Sequence, residues 1–198
     1  MWGSDLKRLF DLVAAAVVLC LLLPLLLVIA IVIRVADGAP VLYRQVRLGR
    51  HGAPFQILKF RTLHDGSTEA PAIAPESDPR ITGVGRWLRR WRLDEFPSLF
   101  NVIHGDMSLV GPRPLPASIA ERLSEHERGL LFSVRPGITD AAAIHFLAED
   151  AVLAGREDAE AIYFEQLFPA RVKMATAAIE RSGFLDDVLV LLKTLALL

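Results

Sequence analysis

The 198-residue chain has a single cysteine, Cys20, so no intrachain disulfide can form. Cys20 lies inside an apolar run, where it reads as a small hydrophobe, and the lack of disulfides agrees with a cytoplasmic domain. An excess of charge is missing too: 22 Lys and Arg against 23 Asp and Glu leave a formal net charge of −1. Without a basic surplus, no nucleic-acid partner is expected. There is no internal repeat, no sign of a second globular unit, and only one long uncharged apolar run, so a bundle of spanning helices is excluded.

What is present is unevenly spread. Residues 34–113 carry 12 basic and 8 acidic side chains, while residues 114–198 carry 8 and 13, so anions are expected to bind to the middle of the chain. The apolar run, residues 12–33, lies between Asp11 and Arg34. As a straight α-helix it would reach ~33 Å, about the thickness of a hydrocarbon core. A cleaved signal peptide would have an apolar region of ~7 to 15 residues, shorter than this one. Pro24, at its centre, removes a backbone hydrogen bond and predicts a kink. Lys7 and Arg8 flank the run on one side and Arg34, Arg44, Arg47 and Arg50 on the other. Basic charge on both sides sets no single-pass orientation, so a spanning helix and one that returns to its own face both remain open.

Residues 41–46 and 54–60 read as strands joined by Gly49-Arg50-His51-Gly52, which predicts a hairpin. Residues 64–79 read as an exposed loop. In residues 82–93, Trp87 and Trp91 stand four apart among arginines, a pattern that suits a membrane surface and equally a helix burying two tryptophans. Residues 96–103 read as a short helix ended near Gly105. Helical patterns follow at 118–131, 141–153, 157–168, 171–181 and 185–198, the last apolar enough to lie on a membrane.

Asp94 and Glu95 form an acidic pair between the arginine-rich stretch and the short helix. A position near a helix N-terminus with arginines nearby favours an ionised carboxylate, although such a pair is most often a cap with a surface ion pair. Around it lie Asp78-Pro79-Arg80, Arg86, Leu93-Asp94-Glu95-Phe96-Pro97, residues 105–114 (Gly-Asp-Met-Ser-Leu-Val-Gly-Pro-Arg-Pro) and Arg135-Pro136-Gly137-Ile138-Thr139. Arg113, between two prolines, can be aimed at an anion with little loss of entropy.

With the Pro-centred apolar run and Leu58-Lys59-Phe60-Arg61-Thr62, these patterns cover the chain nearly end to end. The chain resembles the bacterial sugar transferases, also called monotopic phosphoglycosyl transferases. The resemblance implies an α+β, mostly helical fold: a re-entrant, kinked membrane helix over residues 1–36, then a compact cytoplasmic catalytic domain over residues 37–198 with a small β-hairpin and interfacial amphipathic helices. It also implies that Asp94 attacks the β-phosphorus of a UDP-sugar and expels UMP, and that undecaprenyl phosphate then takes the sugar phosphate. Glu95 would hold Mg²⁺, with Lys59, Arg61, Arg80 and Arg113 as the remaining clamp on the phosphates.

The expected location is the cytoplasmic face of the bacterial inner membrane, in contact with its lipids, and a homodimer or glycosyltransferase partners are compatible with it. Missing extra N-terminal spanning helices make this resemble the family's minimal catalytic form. Two departures stand out: Leu23 rather than serine precedes Pro24, and Asp140-Ala141-Ala142-Ala143-Ile144-His145 follows Thr139, where relatives continue differently. A catalytically inactive scaffold of a glycan assembly complex is the alternative, against which the intact Asp94-Glu95 pair argues. A module that binds anionic lipids through residues 86–92 would explain the tryptophans but not the proline-framed Arg113.

Overall fold

The computed structural model describes residues 4–64, 78–146, 153, 156, 158–181 and 183–197. Most of the expected loop at 64–79 lies outside them. The described part is mostly helical.

Helix α1 spans Ser4–Ala36 without interruption, Pro24 included, so the expected kink does not break it into two elements. The absence of charge over its middle makes α1 long and apolar enough to cross a membrane. Its buried positions, Asp11, Ala15, Leu26, Ile29 and Ile33, recur at spacings of three, four and eleven and form one stripe. Leu9, Val13, Val17, Leu21, Val28, Ile31 and Val35 are exposed elsewhere on the helix.

Strands β1 (Leu42–Leu48) and β2 (Pro54–Phe60) pair antiparallel, with Leu42 opposite Phe60 and Leu48 opposite Pro54, as the alternation predicts. Helix α2 (Gly83–Arg90) is capped by the Thr82 hydroxyl, which accepts from the Gly85 amide at 2.8 Å. Trp87 and Trp91 are about half exposed while Leu88 is fully buried, so the alternative of two core tryptophans is not realised. Helix α3 (Ser98–His104) stops at Gly105, whose φ of 108° favours glycine.

Strand β3 (Ser108–Val110) pairs in parallel with β4 (Gly137–Thr139), a pairing not legible in such short segments. The expected helix at 118–131 is two: α4 (Ala117–Ala120) and α5 (Glu125–Leu131). The break falls at Ser124, which forms a capping box with Glu127 and so starts a new helix. Helix α6 (Ala141–His145) is capped by Asp140. Helix α7 (Ala159–Ile162) runs through a π turn, Tyr163–Leu167, into α8 (Phe168–Arg181), and α9 (Phe184–Ala196) follows.

Ala15 of α1, Ile57 of β2, Leu99 and Val102 of α3, Met107, and Leu109 and Val110 of β3 form one core cluster. Leu26, Ile29 and Ile33 of α1 meet Phe60 and Leu88 in another. A further cluster joins α4, α5 and α8.

Both halves of α1 therefore pack against the rest of the chain, and polar contacts hold both ends. Arg8 donates to the carbonyls of Val102 (2.6 Å) and Ile103 (2.9 Å) at the end of α3, where helix carbonyls lack intrahelical partners. Lys7 pairs with Asp187 of α9 at 2.5 Å, and the buried Asp11 carboxylate accepts from the Leu109 amide at 3.1 Å.

Candidate active site

The chain reaches the acidic pair through a forced turn. Arg92 adopts a left-handed conformation (φ 51°, ψ 23°), rare for a non-glycine residue, and redirects the backbone from α2 into a 3₁₀ turn over Leu93–Glu95. Asp94 sits on this turn, ahead of Pro97 and α3, rather than in the first turn of an α-helix.

Hydrogen bonds from α3 hold β2 beside the turn. Ser98 Oγ donates to the Leu58 carbonyl at 2.7 Å, Asn101 Oδ1 accepts from the Leu58 amide at 3.0 Å, and Asn101 Nδ2 donates to the Gln56 carbonyl at 2.8 Å. The next residue, Lys59, points its ammonium at Glu95 Oε1 and forms an ion pair with it. Arg113 approaches the same oxygen at 3.4 Å.

Arg113 is placed by backbone packing. A Cβ on Gly137 would stand 2.1 Å from the Gly111 amide nitrogen, and one on Gly111 would stand 2.4 Å from the Arg135 carbonyl oxygen. Glycine at both positions lets the β3 and β4 ends touch. Gly111 donates to the Thr139 carbonyl at 3.0 Å and Gly137 to the Pro112 carbonyl at 2.9 Å. Buried Pro112 and Pro114 then flank the half-exposed Arg113 side chain.

The two carboxyl groups have opposite electrostatics. Burial and the neighbouring Glu95 charge push the Asp94 carboxyl up to about 6, more than Lys59, Arg89 and Arg113 pull it down. Burial also acts to raise Glu95, but the charges of Lys59 and Arg113 outweigh it and bring its carboxyl to about 2. The expectation that nearby arginines dominate at Asp94 is therefore corrected: desolvation wins there. Near neutral pH both carboxylates are still predominantly ionised.

Four of the six sequence-predicted residues, Asp94, Glu95, Lys59 and Arg113, come together. The other two have structural partners. Buried Arg61 donates to the carbonyls of Asp37 (2.6 Å), Gly38 (3.0 Å) and Ala39 (3.0 Å), closing the end of α1. Arg80 forks onto Asp78, with Nε at 2.9 Å from Oδ1 and Nη2 at 2.5 Å from Oδ2. Sequence reading did not single out Arg89, whose charge acts on Asp94 and whose Nε donates to Thr62 Oγ1 at 3.0 Å. It also passed over Arg47 and Tyr163, both within electrostatic range of Arg113. The signal for Arg47 was the two-residue period that puts it on one face of β1 with Tyr43, which stands opposite Lys59.

A family model described as Bacterial sugar transferase matches residues 2–198. This chain belongs to the bacterial sugar transferase family. Among relatives, it is 46% identical over 146 residues to the UDP-glucose:undecaprenyl-phosphate glucose-1-phosphate transferase of Caulobacter vibrioides, covering 71% of this chain and 54% of that protein. It is 39% identical over 143 residues to the protein of the same name from Escherichia coli, covering 71% of this chain and 31% of that one. It is 33% identical over 211 residues to the exopolysaccharide production protein ExoY of Rhizobium meliloti, covering 98% and 85%. The chain thus spans about half of the Caulobacter protein and about a third of the Escherichia one. For this bacterial sugar transferase, the long apolar α1 fits membrane association.

Proposed function

We propose that this bacterial sugar transferase moves a sugar 1-phosphate from a UDP-sugar to undecaprenyl phosphate through a covalent aspartyl intermediate. The observation that carries the reading is the arrangement of the acidic pair: a 3₁₀ turn sets Asp94 beside Glu95, and Lys59 and Arg113 converge on Glu95. Asp94, raised to about 6, keeps basicity and is ionised near neutral pH; Glu95, drawn down to about 2 between Lys59 and Arg113, stays a fixed charge. The names of the relatives supply the substrate class.

In the first step an Asp94 carboxylate oxygen bonds to the sugar-bearing phosphorus of the donor, and the bond from that phosphorus to the bridging oxygen breaks. The bridging oxygen leaves with UMP. In the second step a phosphate oxygen of the acceptor bonds to the same phosphorus, the aspartyl bond breaks, and the Asp94 carboxylate is restored. Lys59 and Arg113 orient Glu95 and offset charge on the transferring group.

Among the described residues no three His, Cys, Asp or Glu side chains gather as a metal nest. A magnesium ion still fits, because Mg²⁺ commonly uses one or two protein carboxylates and completes its shell with phosphate oxygens and water. Glu95 would hold it, and the ion pairs with Lys59 and Arg113 both fall on its Oε1. When bound, the ion would offset the charge of the diphosphate.

The placement of α1 supports a membrane-surface site, and the basic residues on both flanks of its apolar run favour the cytoplasmic side for the catalytic part. A helix of 33 residues is ~50 Å long, well beyond a ~30 Å hydrocarbon core. Because the catalytic elements pack along its length and hold both ends, a simple crossing would drag them into lipid. Entry into one leaflet, with the exposed apolar face of α1, Trp87, Trp91 and α9 in contact with lipid, keeps the dyad at the interface where a soluble and a lipid-tailed substrate meet.

The test is UMP release from a panel of UDP-sugars with purified protein, Mg²⁺ and undecaprenyl phosphate. Release that requires Asp94 and one donor sugar supports the reading. No release across the panel from folded, membrane-bound protein favours the inactive scaffold.

A further inference from the structure

Arg47 is the least explained charge near the dyad. Among the described residues its hydrogen bonds go to neutral groups: Nη1 donates to the Pro114 carbonyl at 3.2 Å and Nη2 to Gln45 Oε1. Its Nε is buried and has no partner. A buried N–H without an acceptor is costly, and a guanidinium hydrogen-bonded only to neutral groups, with Glu95 no nearer than electrostatic range, has charge to offer an anion.

The fold brings this charge to the site through one backbone contact. Leu48 bridges to Leu115, its amide donating to the Leu115 carbonyl at 2.8 Å, so Arg47 lies against the segment that carries Arg113. The two guanidinium groups repel: burial first, then the Arg113 charge, depress Arg47 to about 10. Arg47, Arg113, Lys59, Arg89 and Arg92 gather around Asp94 and Glu95, with Asp140 as a further acidic group acting on Arg113.

Tyr163 reaches the same corner from the far end of the chain. It opens the π turn, and its ring packs against the same cluster as Leu48 and Leu115. It lies within electrostatic range of both Arg47 and Arg113. A π turn displaces side chains from ordinary helical register, and such turns are frequent at functional sites.

We infer that Arg47 and Tyr163 join Arg113 in a seat for a phosphate monoester beside the Asp94-Glu95 dyad. The inference rests on the two-step reading above and deepens it. Both the departing UMP and the incoming polyprenyl phosphate present a phosphate monoester. In a two-step exchange through one aspartate, the second can enter where the first has left, so a single seat serves both. Arg47 supplies the buried N–H and a charge with no hydrogen-bonded carboxylate, Arg113 the half-exposed fork between its prolines, and Tyr163 a phenol within electrostatic range of both.

The test uses Tyr163→Phe, which keeps the ring that packs, and Arg47→Lys, which keeps charge but loses the fork. UMP binding by calorimetry, UMP product inhibition, and the KM for undecaprenyl phosphate are read on folded, vesicle-bound protein. The seat predicts that both variants weaken UMP binding and raise the acceptor KM, each by roughly tenfold for Arg47→Lys and severalfold for Tyr163→Phe. A change in UMP binding alone would confine the seat to the nucleotide, and a change in acceptor KM alone would confine it to the acceptor; either overturns the shared seat. Wild-type constants for both ligands in both variants would refute any seat here. Failure of the parent reading looks different, because the unaltered protein would then release no UMP.

Discussion

The pH dependence of the first step follows from where Asp94 sits. An ordinary aspartate has a pKa near 3.9 and would be almost fully ionised at pH 5. At about 6, Asp94 is roughly 90% ionised at pH 7, about half at pH 6 and roughly 10% at pH 5. If only the carboxylate attacks, UMP release at saturating donor falls about tenfold from pH 7 to pH 5, with its midpoint near 6. Lys59 lowers Asp94, so Lys59→Gln should move that midpoint to higher pH while also slowing the reaction. Stopped UMP assays in buffers of constant ionic strength, with circular dichroism to confirm folding at pH 5, give the profile. A flat profile down to pH 5, or a midpoint near 4, would refute the claim that burial and Glu95 govern Asp94.

The same shift links to stability. Because the folded-state pKa of Asp94 is raised above its unfolded value, the ionised carboxylate costs stability fully above about pH 6, and the cost disappears below the unfolded value of 3.8. Asp94→Asn should therefore add stability of order 1 kcal/mol at pH 7.5, read as a higher Tm, with the gain shrinking through pH 6 to 4 in thermal scans. Asp11→Ala leaves the Leu109 amide without its acceptor in a buried place and should lose ~1–3 kcal/mol in denaturant titration. Gly85→Ala would place a Cβ 2.2 Å from the Thr62 carbonyl oxygen, a backbone atom that cannot move aside cheaply. A loss of at least ~2 kcal/mol and a visible drop in Tm are expected. Arg61→Lys should lower Tm, since one ammonium cannot replace the fork on three carbonyls, while the donor KM of the folded fraction stays within about twofold. A large rise in KM would return Arg61 to the substrate clamp.

Local signals in the sequence carried much of the fold. The apolar run, the alternation around Gly49-Arg50-His51-Gly52, and Gly105 as a stop mark α1, the hairpin and the end of α3 because each follows from nearby residues alone. The β3–β4 pair was out of reach, since three-residue strands carry no periodicity and their pairing depends on Gly111 meeting Gly137 from a distant segment. At the site, the gathering of Asp94, Glu95, Lys59 and Arg113 was legible from turn chemistry and family motifs. The separate partners of Arg61 and Arg80 were not, because an arginine in a motif reads alike whether it faces phosphate or a helix end, and only the fold brings it to the carbonyls of 37–39 or to the Asp78 carboxylate. Desolvation of Asp94 was equally invisible, being a property of what closes over the turn.

The covalent role of Asp94 is the centre of the account, and intact-protein mass spectrometry tests it most directly. With Mg²⁺ and the competent UDP-sugar but no acceptor, the protein should gain the mass of one sugar phosphate. It should lose that mass when undecaprenyl phosphate is added, and Asp94→Asn should never gain it. An adduct that persists in Asp94→Asn, or UMP release that needs the acceptor and leaves no adduct, would contradict it.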